Sequence, residues 1–181
     1  MPRVLVPLAP GFEEIEAVTV IDVLRRANVE VVVAGLDEGP IEGSRGVKVV
    51  PDATLAGAGS EFDMIVLPGG AKGAERLRQD ERLASLIRDL VARKKPVAAI
   101  CAAPIVLSHL GLLEGRKATG HPSVFSLLRA GQVVTDRVVV DGPIVTSRAP
   151  GTAMEFAFKL VEILVGRTKA EEVNRGVLAK L

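Results

Sequence analysis

The 181-residue sequence contains no tryptophan, no tyrosine and only five phenylalanines. The aromatic platforms on which single-stranded bases stack are therefore largely missing. An excess of charge of either sign is missing too: 23 Lys and Arg stand against 22 Asp and Glu, a formal net charge of +1. A nucleic-acid-binding domain normally carries a basic surplus, so the balance argues against that class of partner. The single cysteine cannot close an internal disulfide, and with only two histidines the chain lacks the donors of a Cys-rich zinc site. No apolar run approaches the ~18 residues of a membrane span. Met1 to Leu8 is apolar but too short for a signal peptide, and Glu13, Glu14 and Glu16 soon follow. The final Ala179-Lys180-Leu181 echoes the peroxisomal tripeptide, but the simpler expectation is a Leu that packs the end of the chain. These absences describe a globular protein of a reducing, cytoplasmic compartment, with no metal, cofactor, nucleic acid or membrane expected.

What is present is aliphatic. Hydrophobic residues make up 48% of a 19.0 kDa chain, read as one domain over residues 1–181. A chain of this length buries about 70% of its unfolded surface and needs no covalent staple. Strand and helix signals alternate. Arg3-Val4-Leu5-Val6-Pro7-Leu8 is near-continuously apolar, as a strand covered on both faces should be. Glu13 to Ala27 reads as a helix with Val20, Leu24 and Ala27 on one stripe; one turn back from Val20 that stripe meets Glu16. A second stripe, Ile15, Val18 and Asp22, faces elsewhere.

Glu30 to Ala34 is a second strand, and Ile41 to Val50 a hairpin turning at Gly43-Ser44-Arg45-Gly46. Met64 to Leu67 is a short buried strand stopped by Pro68-Gly69-Gly70, and one long helix carrying Leu83, Leu86, Ile87, Leu90 and Val91 follows. Pro96 to Ile100 is a strand ended by Cys101, with a helix from Ala102 to Leu110 behind it. His121-Pro122 opens a short helix that Gly131 closes. Val138 to Val145 is a hairpin on an Asp-Gly turn, Pro150 starts the last long helix, and a tail helix runs from Lys169 to Leu178. The pattern gives an α/β sandwich, a mostly parallel sheet with helices on both faces, whose ligands bind beyond the carboxyl ends of the strands. Gly11 to Glu16, Pro68-Gly69-Gly70 and Cys101 all fall there.

Cys101 sits where a strand turns sharply into a helix, with Ala99 two residues before and Ala103 two after. Small neighbours give the clearance a strained elbow needs, and a helix N-terminus behind it favours thiolate. A free Cys is equally often a buried, inert small hydrophobe, and spacing alone does not choose. Glu16, on an apolar stripe, is expected to be partly buried with a raised pKa, so that a protonated carboxyl hydrogen-bonds the sulfur. Glu13 and Glu14 fit better as solvated acids in a first helical turn. Gly69 and Gly70 can bring backbone N–H groups close to a ligand, and Gly70 with Ala102 can form an oxyanion hole; a plain turn is the alternative. His121 is a candidate base or orienter, or else a surface cap. Arg26, Arg45 and Arg148 are candidates for holding an anion, or else solvated or ion-paired charges.

Taken together, these residues resemble the DJ-1/ThiJ branch of the DJ-1/PfpI superfamily. The likeness runs through Gly11-Phe12-Glu13-Glu14-Ile15-Glu16, Leu67-Pro68-Gly69-Gly70, Ala99-Ile100-Cys101-Ala102-Ala103-Pro104, His121-Pro122 and Thr146-Ser147-Arg148-Ala149-Pro150-Gly151-Thr152. The resemblance implies a flavodoxin-like three-layer sandwich and a homodimer packed through the first helix, which would use Ile15 and Val18. It implies that Cys101 is an oxidisable nucleophile, that a protonated Glu16 hydrogen-bonds it, that Gly69, Gly70 and Ala102 supply backbone donors, and that His121 and Pro150 lie by the pocket. It implies cofactor-free glyoxalase or deglycase chemistry on methylglyoxal and related small α-oxoaldehydes, or alternatively a sensing or protective role through a Cys101 sulfinate. Two departures matter. Ala102, not His, follows the cysteine, which argues against peptidase activity. Gly43 and Val50 stand where some relatives carry further cysteines, so only the central thiol is present.

Overall fold

The computed structural model describes residues 1–179. In chain order the elements are β1 (Arg3–Leu8), α1 (Glu14–Arg26), β2 (Glu30–Gly35), β3 (Ile41–Glu42), β4 (Lys48–Val49), β5 (Ala53–Thr54), β6 (Met64–Leu67), α2 (Ala71–Gln79) and α3 (Glu81–Ala92). There follow β7 (Val97–Ile100), α4 (Pro104–His109), β8 (Lys117–Ala118), a 3-10 helix (Pro122–Leu127), β9 (Gln132–Val133), β10 (Val138–Asp141), β11 (Ile144–Ser147), a 3-10 turn (Pro150–Thr152), α5 (Ala153–Val165) and α6 (Arg167–Val177).

The main sheet has seven strands in the order β10-β11-β7-β6-β1-β2-β5. All neighbours run parallel except the edge pair β10–β11. Period-two alternation sends Val4, Val6, Leu8, Val31, Val33, Met64, Val66, Ala98 and Ile100 to one face, where α1, α5 and α6 pack. Leu5, Val32, Ala34, Ile65, Leu67, Val97 and Ala99 point to the other face, under α2, α3 and α4. Burial of each Val or Leu contributes roughly 1.5–3 kcal/mol. Because both faces are covered, the central strands are apolar throughout rather than alternating. From β1 the chain winds outward one way to β2 and the other way to β6, β7 and β11. The crevice at that reversal, beyond the carboxyl ends of β1 and β6, is where such sheets hold ligands. Cys101 packs against both cores, at the sheet end where they meet.

Several boundaries differ from the sequence expectation. The helix after Gly70 is two helices: Asp80 breaks it with an extended backbone, and its carboxylate accepts from the N–H groups of Arg82 and Leu83 at 3.0 Å each to cap α3. α4 does not begin at Ala102; Cys101, Ala102 and Ala103 form turns and Pro104 opens the helix. Pro150 starts a 3-10 turn, not the long helix itself. The short strands β5, β8 and β9 carry too few residues to show a period and were not legible. The hairpin at 41–50 stands as expected; the one expected over 138–145 runs on to Ser147, and the tail helix expected from Lys169 to Leu178 runs from Arg167 to Val177. The expected packing of Leu181 lies outside the described residues. Among the described residues no helix is long and apolar enough to cross a membrane.

Candidate active site

Cys101 leaves β7 with φ +65°, in the left-handed region that a side chain disfavours by roughly 1–2 kcal/mol. Two backbone hydrogen bonds hold it there. Its N–H donates to the Ser147 carbonyl at 3.0 Å, and its own carbonyl accepts from the His121 N–H at 2.8 Å. The segment carrying His121 is tied to β11 in turn, because the Thr119 N–H donates to Thr146 Oγ1 at 3.0 Å. Both peptide planes flanking the cysteine are thus fixed from outside, and the thiol stands half-buried at the sheet end.

Glu16 comes from α1, one turn before Val20, and is 0% exposed. Its Oε2 accepts from the Gly69 N–H at 2.7 Å. The other oxygen, Oε1, is buried with no hydrogen-bond partner, and the Cys101 thiol is the polar side chain beside the carboxyl. Burial pushes the Glu16 carboxyl up to about 7, helped by the Glu13 charge and opposed by the thiol and the Gly69 N–H.

Burial also pushes the Cys101 thiol up to about 12, joined by the charge of the Glu16 carboxylate and by hydrogen bonding to it. The N–H groups of Gly70 and Ala102 face the sulfur and act in the thiolate's favour, but they are outweighed. This corrects the expectation of a thiol ionised simply by a helix end. The pair passes from uncharged to singly charged around neutral pH, and a second negative charge is excluded until far higher pH. Glu16 is buried and its pKa is raised, as its place on the apolar stripe predicts; of the expected hydrogen bonds, the one recorded at its carboxylate comes from the Gly69 N–H.

Gly69 is required by contact, and Gly70 by contact and by its backbone conformation. A Cβ on Gly69 would lie 2.6 Å from both Cys101 Cβ and Glu16 Oε2. Gly70 has φ +87°, and a Cβ there would overlap the Gly11 carbonyl oxygen. The Glu13 N–H donates to the Gly69 carbonyl at 3.0 Å, which ties the start of α1 to this turn.

A profile of the DJ-1/PfpI family matches residues 2–163. The chain belongs to the DJ-1/PfpI family. It is 46% identical over 180 residues to protein DJ-1 homolog A of Arabidopsis thaliana, covering 98% of this chain and 46% of that protein. The chain therefore spans about half the length of the Arabidopsis relatives it matches. It is 44% identical over 178 residues to protein dj-1beta of Drosophila melanogaster, covering 96% of this chain and 95% of that one. The glutathione-independent glyoxalase DJR-1.2 of Caenorhabditis elegans is 35% identical over 164 residues, 89% of this chain and 87% of the relative. Among solved structures, oxidized Toxoplasma gondii DJ-1 superposes with a TM-score of 0.96 at 41% identity, covering 100% of both chains. The flavodoxin-like expectation for this family member is met.

The remaining candidates are placed unevenly around the DJ-1/PfpI elbow. The His121 backbone touches Cys101, while its Nδ1 accepts from the Ser123 N–H at 3.2 Å and meets Ser123 Oγ at 2.7 Å. A neutral ring so bonded carries its proton on Nε2. Arg45 lies on the rim of a cleft of ≈ 620 Å³ that reaches Gly70. Arg148 follows Ser147 directly; its guanidinium lies 5.8 Å from the Phe125 ring, and its Nε is buried without a partner. Pro150 opens the turn after it. Arg26 is at the far end of α1, paired with Asp22 at 3.0 Å, and the fold does not bring it to Cys101 within one chain.

Glu14 is a correction. It is 8% exposed, not solvated, and accepts from the Arg45 N–H at 2.6 Å and from Ser44 Oγ at 3.0 Å. Burial raises its pKa, but these bonds more than offset that and hold it below the usual carboxylate range. Sequence reasoning also passed over Ser147 and Thr152. Their signal was faint: a hydroxyl residue ending an apolar strand and another in the turn after it, which must be hydrogen-bonded if buried.

Proposed function

We propose that this chain is a cofactor-free glyoxalase or deglycase acting on methylglyoxal and related α-oxoaldehydes, or on their adducts with amines. The observation that carries this reading is the buried Cys101–Glu16 pair, which holds one negative charge and one movable proton. Passing the proton from sulfur to Glu16 creates the nucleophile without adding charge to the site, with the Gly70 and Ala102 N–H groups facing the thiolate. The thiolate attacks the aldehyde carbon, and the carbonyl oxygen takes the Glu16 proton to give a hemithioacetal. Glu16, now a base, removes the hydrogen from that carbon, a proton is returned to the neighbouring carbon, and the hydroxyl proton of the first carbon passes to the oxygen of the second. The product is the thioester of lactate. Water hydrolyses it, releasing lactate and restoring the thiol, so methylglyoxal plus water becomes lactic acid. In this reading His121, with its Nε2 proton, is assigned to orienting the substrate oxygens, and Arg45, Arg148 and Pro150 to the edge of the substrate site. The name of the Caenorhabditis relative supports the reaction class. The active form is a homodimer in a reducing compartment.

The test is lactate formation from methylglyoxal by the purified protein and by Cys101→Ser. Production should be lost with the sulfur; equal rates in the two proteins would sink the reading. A second reading, oxidation of Cys101 to a sulfinate held by the same donors, draws on the oxidized Toxoplasma neighbour. It expects a stable two-oxygen adduct on intact mass after mild peroxide, absent in Cys101→Ser.

A further inference from the structure

Thr146, Ser147 and Thr152 have no part in the scheme above, yet all three carry fully or nearly buried hydroxyls, with Thr146 and Ser147 at 0% exposure and Thr152 at 4%. Hydroxyls in an aliphatic interior are costly unless bonded. That of Thr152 bonds one peptide group, and that of Ser147 bonds Thr152. The Ser147 carbonyl and the Arg148 N–H belong to a single rigid plane. Its carbonyl end receives the Cys101 N–H at 3.0 Å. Its amide end donates to Thr152 Oγ1 at 3.2 Å. Thr152 Oγ1 also accepts from the Ala149 N–H at 3.2 Å and bonds the Ala149 carbonyl at 3.0 Å. Ser147 Oγ donates to the Arg137 carbonyl at 2.7 Å, so across the 2.7 Å between the two hydroxyls Thr152 is the donor, its one proton shared between Ser147 Oγ and the Ala149 carbonyl.

We propose that Thr152 is the positioning residue of the nucleophile: its hydroxyl fixes the Ser147–Arg148 peptide, and that peptide fixes the strained backbone of Cys101. The chain runs from Thr152 Oγ1 to the Arg148 N–H, through the peptide to the Ser147 carbonyl, and on to the Cys101 N–H. Each bond polarises the next, so the acceptor that holds the cysteine is strengthened as well as aimed. With the His121 N–H fixing the opposite carbonyl, the left-handed φ has no room to relax. Relaxation would swing the sulfur away from the Gly70 and Ala102 N–H groups and from Glu16. The inference rests on Cys101 being the reacting thiol of the proposed function, and not on which electrophile it attacks.

The test uses iodoacetamide, so that it stands apart from methylglyoxal turnover. Alkylation rates of Cys101 are measured across pH in wild type, Thr152→Val, Thr152→Ser and Ser147→Ala, with melting temperature alongside. None of these changes touches the groups facing the thiol, which are Glu16 from α1 with Glu13 behind it and the two N–H donors. Thr152→Val should slow alkylation at neutral pH by about tenfold, the equivalent of one pKa unit, and shift the profile upward. Thr152→Ser, which keeps the hydroxyl, should restore the wild-type profile. Ser147→Ala keeps its carbonyl but loses its bond to Thr152, and should show a smaller shift of the same sign. It decides the matter if Thr152→Val does not fold. A role confined to stability would lower the melting temperature and leave the profile in place. Superimposable profiles in wild type and the folded variants overturn the proposal, as does a Thr152→Ser protein as slow as Thr152→Val.

Discussion

At the scale of single residues, the proposed chemistry rests on a proton held between buried Glu16 and half-buried Cys101. A lone acid at 0% exposure prefers to be neutral, and a lone thiol in the same place prefers to stay protonated. Side by side, the two can carry one charge and no more at neutral pH. The alkylation rate of Cys101 should therefore climb with pH up to an inflection near 7, where the pair loses its first proton, and level off above it. Glu16→Gln removes the acid that stores the proton. Its inflection should move upward, out of the neutral range, because the thiol then ionises alone against its burial. An inflection that stays near 7 in Glu16→Gln would show that Glu16 is not the group responsible. This pair was partly readable in advance, since a carboxylate heading an apolar helical stripe announces its own burial. The opposing effect on Cys101 was not, because the sequence does not say that the Glu16 charge and the sulfur share one small volume.

At the scale of elements, the hairpin β3–β4 depends on α1 more than on itself. Two residues per strand cannot hold a hairpin in water. The Arg45 and Val47 N–H groups donate to Glu14 Oε1 at 2.6 and 3.4 Å, and the Ser44 N–H donates to the Phe12 carbonyl at 2.7 Å. A hydrogen bond to a charged group contributes roughly 1.5–3 kcal/mol. Glu14→Ala should therefore speed amide exchange at Arg45 and Val47 by about tenfold or more, with smaller changes in the central strands. The pH sign follows from the lowered pKa. The contribution is present above the unfolded-chain value of 4.5 and is lost as pH falls through the lower folded value. Unchanged exchange at Arg45 and Val47 in Glu14→Ala would refute the clamp. The sequence showed the hairpin clearly through its Gly-bounded turn. It did not show the clamp, because a Glu in a first helical turn looks the same whether it faces water or a neighbouring loop.

At the scale of the whole molecule, α1 has two apolar faces and one chain covers only one of them. Val20, Val23 and Leu24 are buried, but Ile15 is 57% and Val18 47% exposed. Val47 and Val50, on and beside the hairpin that Glu14 ties to the start of α1, are also exposed. A second copy of the chain would cover such a surface through a two-fold contact. Sedimentation equilibrium should give twice the chain mass, and Val18→Asp should shift the protein toward monomer. A wild type that is monomeric at every concentration would remove the homodimer from the proposed function.

The sequence by itself determined the layered architecture, because apolar runs of strand length alternating with helical stripes admit few other solutions. It also marked Cys101, Glu16, Gly69 and Gly70, because a small-residue elbow, an acid on an apolar stripe and paired glycines after a strand each break a local rule. Only the tertiary structure decided what those residues do to one another. Sharing a proton, overlapping a missing Cβ and fixing a peptide plane through Thr152 are contacts between segments far apart in the chain, and strand or helix periodicity holds no record of distances across the fold.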